Sequence, residues 1–271
     1  MPHTQFRAPA LPGADRPVEQ VGGHWLLARV GKKVLRPGGR ETTSWLLDQI
    51  DIPGHTVVEF APGLGHTARE ILDRGPGTYL GIDSDPTAVE LVRKLLPDGS
   101  HRAIEADAQH TGLPDGCADA VLGEAMLTMH TDHHKLDIMR EAARLLLPGG
   151  RYAIHEMGLL PNDLAPQTKD EIRKALARAI RVNARPLTVP EWTALAEEAG
   201  FEVVAVHSTR MGLLDPRRMI ADEGWAGTAR IIGNVIRQPQ IRRRVMGMRK
   251  VFTDNHDHLA GLGMILVRTG G

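Results

Sequence analysis

Glu59, Asp83 and Asp107 are the carboxylates whose positions first suggest chemistry, because each stands at or just beyond the end of a short apolar run. Between the first two lies a glycine-rich stretch, Ala61-Pro62-Gly63-Leu64-Gly65-His66-Thr67-Ala68. Glycines between a strand end and a helix start let a ligand approach free backbone N–H groups. Open parallel sheets bind ligands at this edge, beyond the carboxyl ends of their strands. Gly63-x-Gly65-x-x-Ala68, with Asp83 20 residues after Gly63, satisfies a dinucleotide-binding pattern.

The same stretch also reads as Glu59-x-Ala61-x-Gly63-x-Gly65, the loop pattern of S-adenosylmethionine (SAM) enzymes. Charge separates the two readings. A dinucleotide brings a dianionic pyrophosphate to this turn, where a carboxylate at Glu59 would repel it. SAM carries an ammonium and a sulfonium and no phosphate, so Glu59 favours it. Asp83 can accept from ribose hydroxyls, and Asp107 from the adenine amino group. Three acids after three successive strands fit SAM, and an NAD(P)-dependent oxidoreductase is the weaker alternative.

A sulfonium methyl leaves by in-line displacement from an activated thioether, so a protein mainly positions the nucleophile and excludes water. The groups beside the methyl are expected at the ends of the fourth and fifth strands. These run into Gly123-Glu124-Ala125-Met126-Leu127-Thr128-Met129-His130 and His155-Glu156-Met157. Glu124 is expected near the ribose or methionine portion of the cofactor. His155, Glu156 and His130 are the candidate substrate-side groups. The ordinary histidine pKa of about 6.5 suits a base, and Glu156 could anchor or deprotonate a polar substrate. His130-x-x-His133-His134 with Asp132, and His256-Asp257-His258, each lack a third metal ligand. No metal site is assigned.

The elements that position these groups follow from the pattern. From His55 the chain alternates strand and helix, with strands expected at 56–60, 78–83, 102–105, 119–122 and 151–155. Such alternation predicts parallel strands joined by right-handed crossover helices. Helices are expected at 66–73, 86–96 and 134–147, and Pro190-Glu191 opens another that Gly200 stops. A sixth strand is expected at 201–206 and a last one at 263–268.

Outside this core, residues 1–20 hold four prolines and read as a flexible arm. Residues 21–53 form a helical cap in two pieces, with Thr42, Thr43 or Ser44 capping the second. Residues 54–206 are the cofactor core, 207–260 a helical insertion, and 261–271 the closing strand. The insertion has ten Lys/Arg against five Asp/Glu, and a basic amphipathic stretch at 237–250. Met211, Leu213, Leu214, Met219, Trp225, Ile231 and Ile232 could line an apolar pocket there.

From about Gly54 to Met157 the chain resembles the class I, seven-stranded SAM-dependent methyltransferases. Glu59-x-Ala61-x-Gly63-x-Gly65 resembles motif I, with Ala61 where the family usually has glycine. Gly81-Ile82-Asp83-Ser84 is similar to the ribose-binding strand end. Glu105-Ala106-Asp107-Ala108 resembles the adenine segment, and Leu146-Leu147-Pro148-Gly149-Gly150 the turn before the fifth strand. The resemblance implies an α/β fold with a doubly wound, mostly parallel seven-stranded sheet. It implies SAM as cofactor, held by Glu59, Ala61, Gly63, Gly65, Asp83, Ser84, Asp107, Ala108 and Glu124. In the family an N-terminal segment closes on the methionine end, so Arg36 or Arg40 could meet its carboxylate. Transfer to an O, N, S or C atom of a small molecule is the expected activity, with a SAM-sensing module as the non-enzymatic alternative.

Composition bounds this reading. The 271 residues balance 33 Lys+Arg against 33 Asp+Glu and include one cysteine and 13 histidines. One cysteine excludes an internal disulfide framework or a Cys-clustered metal centre. No apolar run is long enough for a membrane span, and the first residues lack a signal-peptide pattern. Zero net charge gives no pointer to a nucleic-acid partner, and only ten aromatics for base stacking argue against one despite the basic stretch at 237–250. The expectation is a cytoplasmic protein with a small-molecule substrate and a possible homodimeric state.

Overall fold

The computed structural model describes residues 11–97 and 99–270. Strands β1 (Thr56–Phe60), β2 (Thr78–Asp83), β3 (Arg102–Glu105), β4 (Ala118–Glu124) and β5 (Leu146–Leu159) lie parallel in the spatial order β3-β2-β1-β4-β5. The two-residue β6 (Leu187–Thr188) pairs with β5 near its end. β8 (Leu259–Arg268) inserts antiparallel between β5 and β7 (Phe201–Arg210). The chain winds outward from β1 to β3 and then crosses back to β4, so the order reverses between β1 and β4. A crevice opens beyond their carboxyl ends at such a reversal.

Period-two alternation assigns the strand side chains to two cores. Val57, Tyr79, Ala120 and Ala153 pack with α2 (Gly39–Gln49), α3 (His66–Leu72) and α4 (Pro86–Arg93). Val58, Phe60, Val121 and Ile154 pack with α5 (Asp132–Leu145) and α7 (Val189–Glu198) on the other face. A third core gathers α1 (Gly23–Arg29), α6 (Pro166–Ile180), α8 (Pro216–Arg237) and α9 (Pro239–Asp254) around Met157, Leu159 and Leu259. It sits over the far ends of β5 and β8. The N-terminal segment and the insertion thus share one cap.

Several bounds differ from the sequence expectation. β5 spans 14 residues, with a register irregularity opposite Ala118 and Ala120 that absorbs the Pro148-Gly149-Gly150 turn into the strand. Helix α6 was not expected at all, although Pro166 at its start and Ile172 and Leu176 one turn apart mark it. α2 begins at Gly39, so Thr42 and Thr43 are not caps. Their hydroxyls donate to the Gly38 and Gly39 carbonyls one turn back, each at 3.3 Å. α5 begins at Asp132 rather than 134, capped by Thr131, and Asp132 meets Lys135 at 2.7 Å. β7 continues to Arg210 and β8 starts at Leu259, which shortens the insertion to α8 and α9.

Gly224 (φ 71°, ψ 169°) breaks α8 just after the two acids that grip the cap. Glu223 Oε1 accepts the Lys33 and Val34 amides, each at 2.9 Å, beside the buried Lys32 ammonium, and Asp222 accepts the Arg40 amide at 3.1 Å. Residues 11–20 of the expected flexible arm are seated: Arg29 donates to the Gly13 and Arg16 carbonyls, and Arg244 to those of Val18 and Val21. Residues 1–10 of that arm lie outside the described residues. Of the apolar insertion side chains, Trp225 and Ile232 face solvent, and Met211 and Leu213 line a cavity. No described helix is long and apolar enough to cross a membrane.

Candidate active site

A cleft of about 370 Å³ lies beyond the carboxyl ends of β1, β2 and β4, where the strand order reverses. Its rim turns on two alanines in the left-handed region, Ala61 after β1 (φ 52°) and Ala125 after β4 (φ 54°). That conformation costs a non-glycine residue roughly 1–2 kcal/mol. Each is held by a bond to the neighbouring strand: the Ala61 amide donates to the Ile82 carbonyl and the Ala125 amide to that of His155, both at 2.7 Å. Gly63 (φ 54°) and Gly65 (φ 73°) complete the first turn without such strain. The Gly63 amide donates to Asp83 at 3.1 Å, which ties the turn to the end of β2.

Eight of the nine expected cofactor residues line this cleft: Glu59, Ala61, Gly63, Asp83, Ser84, Asp107, Ala108 and Glu124. Gly65 stands behind it, where a side chain would collide with Leu95. The Glu59 carboxyl is buried and accepts from Tyr79 Oη at 2.6 Å. Burial, with Glu124 and Asp83 nearby, pushes its pKa up to about 8 despite that bond. Burial also raises Asp83, against the amide bonds from Asp85 and Gly63.

Glu124 goes the other way. It is buried, yet the guanidinium of Arg36 at 3.2 Å and the His155 ring at 2.8 Å hold it down to about 2. Hydroxyls of Thr43 and Thr67 also donate to it. Arg36 reaches Thr67 Oγ1 at 2.6 Å; its Nε and Nη2 are buried without a hydrogen bond among the described residues, Nη2 standing 4.0 Å from Glu70. Buried donors of this kind normally have an acceptor. Arg40, the other expected arginine, is more than half exposed and lies outside the cleft, near Glu70 at 3.6 Å.

The three substrate-side candidates do not come together. His130 lines the cleft at its Asp107 end, apart from the buried His155 and Glu156 of β5. His155 is fully buried and lines neither cavity: its Nε2 accepts the Gly38 amide at 2.9 Å, and Nδ1 faces Glu124. Glu156 is buried too, and both carboxyl oxygens are engaged. Oε1 accepts the Met126 and Leu127 amides, and Oε2 the Thr128 amide and hydroxyl. It caps the turn that follows β4 and has no free lone pair aimed at a substrate.

Sequence reasoning missed His24, Trp25, His66, Met126 and Met129, which also line the cleft. His24 and Trp25 come from α1, which lies over the cleft. The pattern of a seven-residue helix offered no way to choose its inward face.

Residues 58–154 match the family model of a methyltransferase domain. The chain is 34% identical over 237 residues to an uncharacterized protein of Haemophilus influenzae, covering 86% of this chain and 92% of that one. It is 28% identical over 192 residues to the ubiquinone/menaquinone biosynthesis C-methyltransferase UbiE of Ectopseudomonas mendocina, covering 62% and 73%. Its fold is similar to that of phosphoethanolamine N-methyltransferase 2 of Haemonchus contortus, solved with phosphomonomethylethanolamine and S-adenosylhomocysteine. The TM-score is 0.68 at 15% identity, over 92% of this chain and 58% of that one. An acid-lined cleft at the β1/β4 reversal and the match across it give one answer: the chain belongs to the class I SAM-dependent methyltransferases.

Proposed function

We propose that this methyltransferase acts on a small molecule, with SAM lying along the cleft from Arg36 to Asp107. The observation that carries this pose is one edge of the Arg36 guanidinium: Nη1 is paired with Glu124, but Nε and Nη2 are buried with no hydrogen-bond acceptor where the methionine carboxylate would end. An arginine edge matches a carboxylate in geometry and charge. Glu59 then faces the ammonium, Asp83 and Ser84 the ribose, and Asp107 and Ala108 the adenine. SAM supplies an activated methyl: the acceptor's lone pair forms the new bond as the carbon–sulfur bond breaks, and an acceptor proton passes to solvent or a base.

The chain's own contribution is positioning and exclusion of water. α1 lies over the cleft, and Glu223 and Asp222 fasten the segment that follows it. An acceptor that fits beneath this cover is a small molecule rather than a folded macromolecule. The name of one relative, a ubiquinone/menaquinone biosynthesis C-methyltransferase, supports the same class, whereas a shorter match to a ribosomal protein L11 methyltransferase makes the macromolecular fractions the necessary control.

The test is transfer from methyl-labelled SAM in a cell extract separated into small-molecule, protein and nucleic-acid fractions. Label is expected in the small-molecule fraction. Label in protein or nucleic acid would overturn the substrate class. SAM binding by calorimetry with no transfer to any fraction would favour a sensing module.

A further inference from the structure

We propose that the acceptor is an uncharged, largely apolar molecule carrying a hydroxyl group, seated in a chamber beyond Ala125 with that hydroxyl on the His24 ring. The inference rests on the reading that SAM occupies the cleft.

A second cavity of about 80 Å³ lies beneath α1, α6 and α9. It shares His24, Leu35, Ala125 and Met129 with the cofactor cleft, so the two meet at the end of β4. Its walls are apolar, built from Leu27, Met157, Ile180, Met211, Met248 and Phe252 among others. Thioethers and a phenyl ring adapt to flat or irregular apolar shapes.

Three polar side chains border it: His24, Thr128 and Glu156. Two of them are already engaged. Glu156 takes the four donors described above. The Thr128 hydroxyl donates to Glu156 at 2.6 Å and accepts the Met157 amide at 3.2 Å. His24 differs. Burial alone pushes its pKa down to about 4, with no charged or hydrogen-bonding group contributing. Near neutral pH its ring is therefore the neutral form, with one donor and one acceptor nitrogen, on a residue that lines the chamber.

An anionic acceptor would shed its hydration here with no Lys or Arg in the lining to replace it. The saturated Glu156 cannot serve an amine, and a neutral His24 cannot serve a carboxylate or phosphate. A hydroxyl can either donate to or accept from a neutral imidazole. The chamber thus discriminates against zwitterionic or phosphorylated acceptors, and His24 orients the group that faces the cleft.

The test uses the full chain, with and without S-adenosylhomocysteine, and four probes of similar size: p-cresol, toluene, benzoate and benzylamine. Calorimetry should find p-cresol binding at least about tenfold tighter than either charged probe, as expected for unpaired burial of charge. His24→Phe should weaken p-cresol about fivefold, the worth of one hydrogen bond, and leave toluene unchanged. Leu213→Trp, at the chamber wall, should abolish binding of both neutral probes while S-adenosylhomocysteine still binds. Charged probes binding as well as p-cresol would overturn the proposal. So would His24→Phe weakening toluene as much as p-cresol, or no p-cresol binding by a chain that binds S-adenosylhomocysteine. Failure of S-adenosylhomocysteine to bind the unaltered chain instead counts against the cofactor reading, and the probe titrations without it still report on the chamber.

Discussion

The Gly38 amide donates to Nε2 of His155 at 2.9 Å, across 117 residues of sequence. Because Nε2 accepts, the ring proton sits on Nδ1 and is donated to Glu124 at 2.8 Å. One neutral imidazole therefore ties the cap to β5 and, through Glu124, to Arg36 in the cofactor cleft. Burial lowers the pKa of His155, in keeping with this neutral form.

His155→Ala should lower both thermal stability and SAM affinity. The Gly38 amide loses its acceptor in a buried site, which costs about 1–3 kcal/mol, and the segment carrying Arg36 loosens. Thermal melts and calorimetric titration of SAM check this. A variant with unchanged SAM affinity and reduced turnover would return His155 to the substrate side.

Gly261→Ala should weaken the same latch from the sheet. A Cβ at Gly261 would collide with the backbone nitrogen and Cα of Gly38, and backbone yields less readily than a side chain. The expected loss is about 1–3 kcal/mol, as for other overpacked core positions. It is read in the denaturation midpoint, and SAM affinity should fall with it.

SAM binding should release a proton at neutral pH. Free Glu59 titrates near 8, raised chiefly by burial, and an ammonium beside it favours the carboxylate form. Affinity should then rise with pH up to about 8, by at most about tenfold per unit for one proton. Calorimetry in buffers of different ionisation enthalpy measures the proton directly, and Glu59→Gln should remove both effects. Without SAM the sign reverses for stability. A carboxyl whose pKa rises on folding stabilises the fold below its unfolded value of 4.5, and this is lost as pH rises through about 8.

Glu124 predicts acid sensitivity of the cap. Its pKa falls on folding from 4.5 to about 2. The associated stability is present above 4.5 and is lost as pH falls through 2, in total of order 3 kcal/mol. Glu124→Gln should flatten that part of the pH–stability curve. It should also lower stability at pH 7, because the Arg36 charge is left buried without its partner.

Asp83→Ala should reduce SAM affinity by roughly 1.5–3 kcal/mol, the range for a hydrogen bond to a charged acceptor. Part of that loss comes from the turn, since Asp83 also accepts the Gly63 and Asp85 amides. Asp83→Asn keeps one acceptor oxygen and should recover part of the affinity in the same titration.

The ends of β1 and β2 and the glycine turn were legible in the sequence because they are local. A strand, a turn, a helix and the next strand follow one another directly from Thr56 to Asp83, so spacing alone brings Glu59, Gly63 and Asp83 to one edge. The β5 candidates were not legible for an equally physical reason. β5 is central and buried on both faces from Tyr152 to Leu159, so hydrophobic alternation cannot say which way His155 and Glu156 point. That was decided by distant partners: the Gly38 amide for one, and the amides of the turn after β4 for the other. The same holds for His24 and Arg36, which reach the cleft because α8 and α9, some 200 residues later, hold the N-terminal segment against it. Short-range spacing determined the family and brought the three acids to one cleft; long-range packing decided which side chains stand beside the chamber that would take the acceptor.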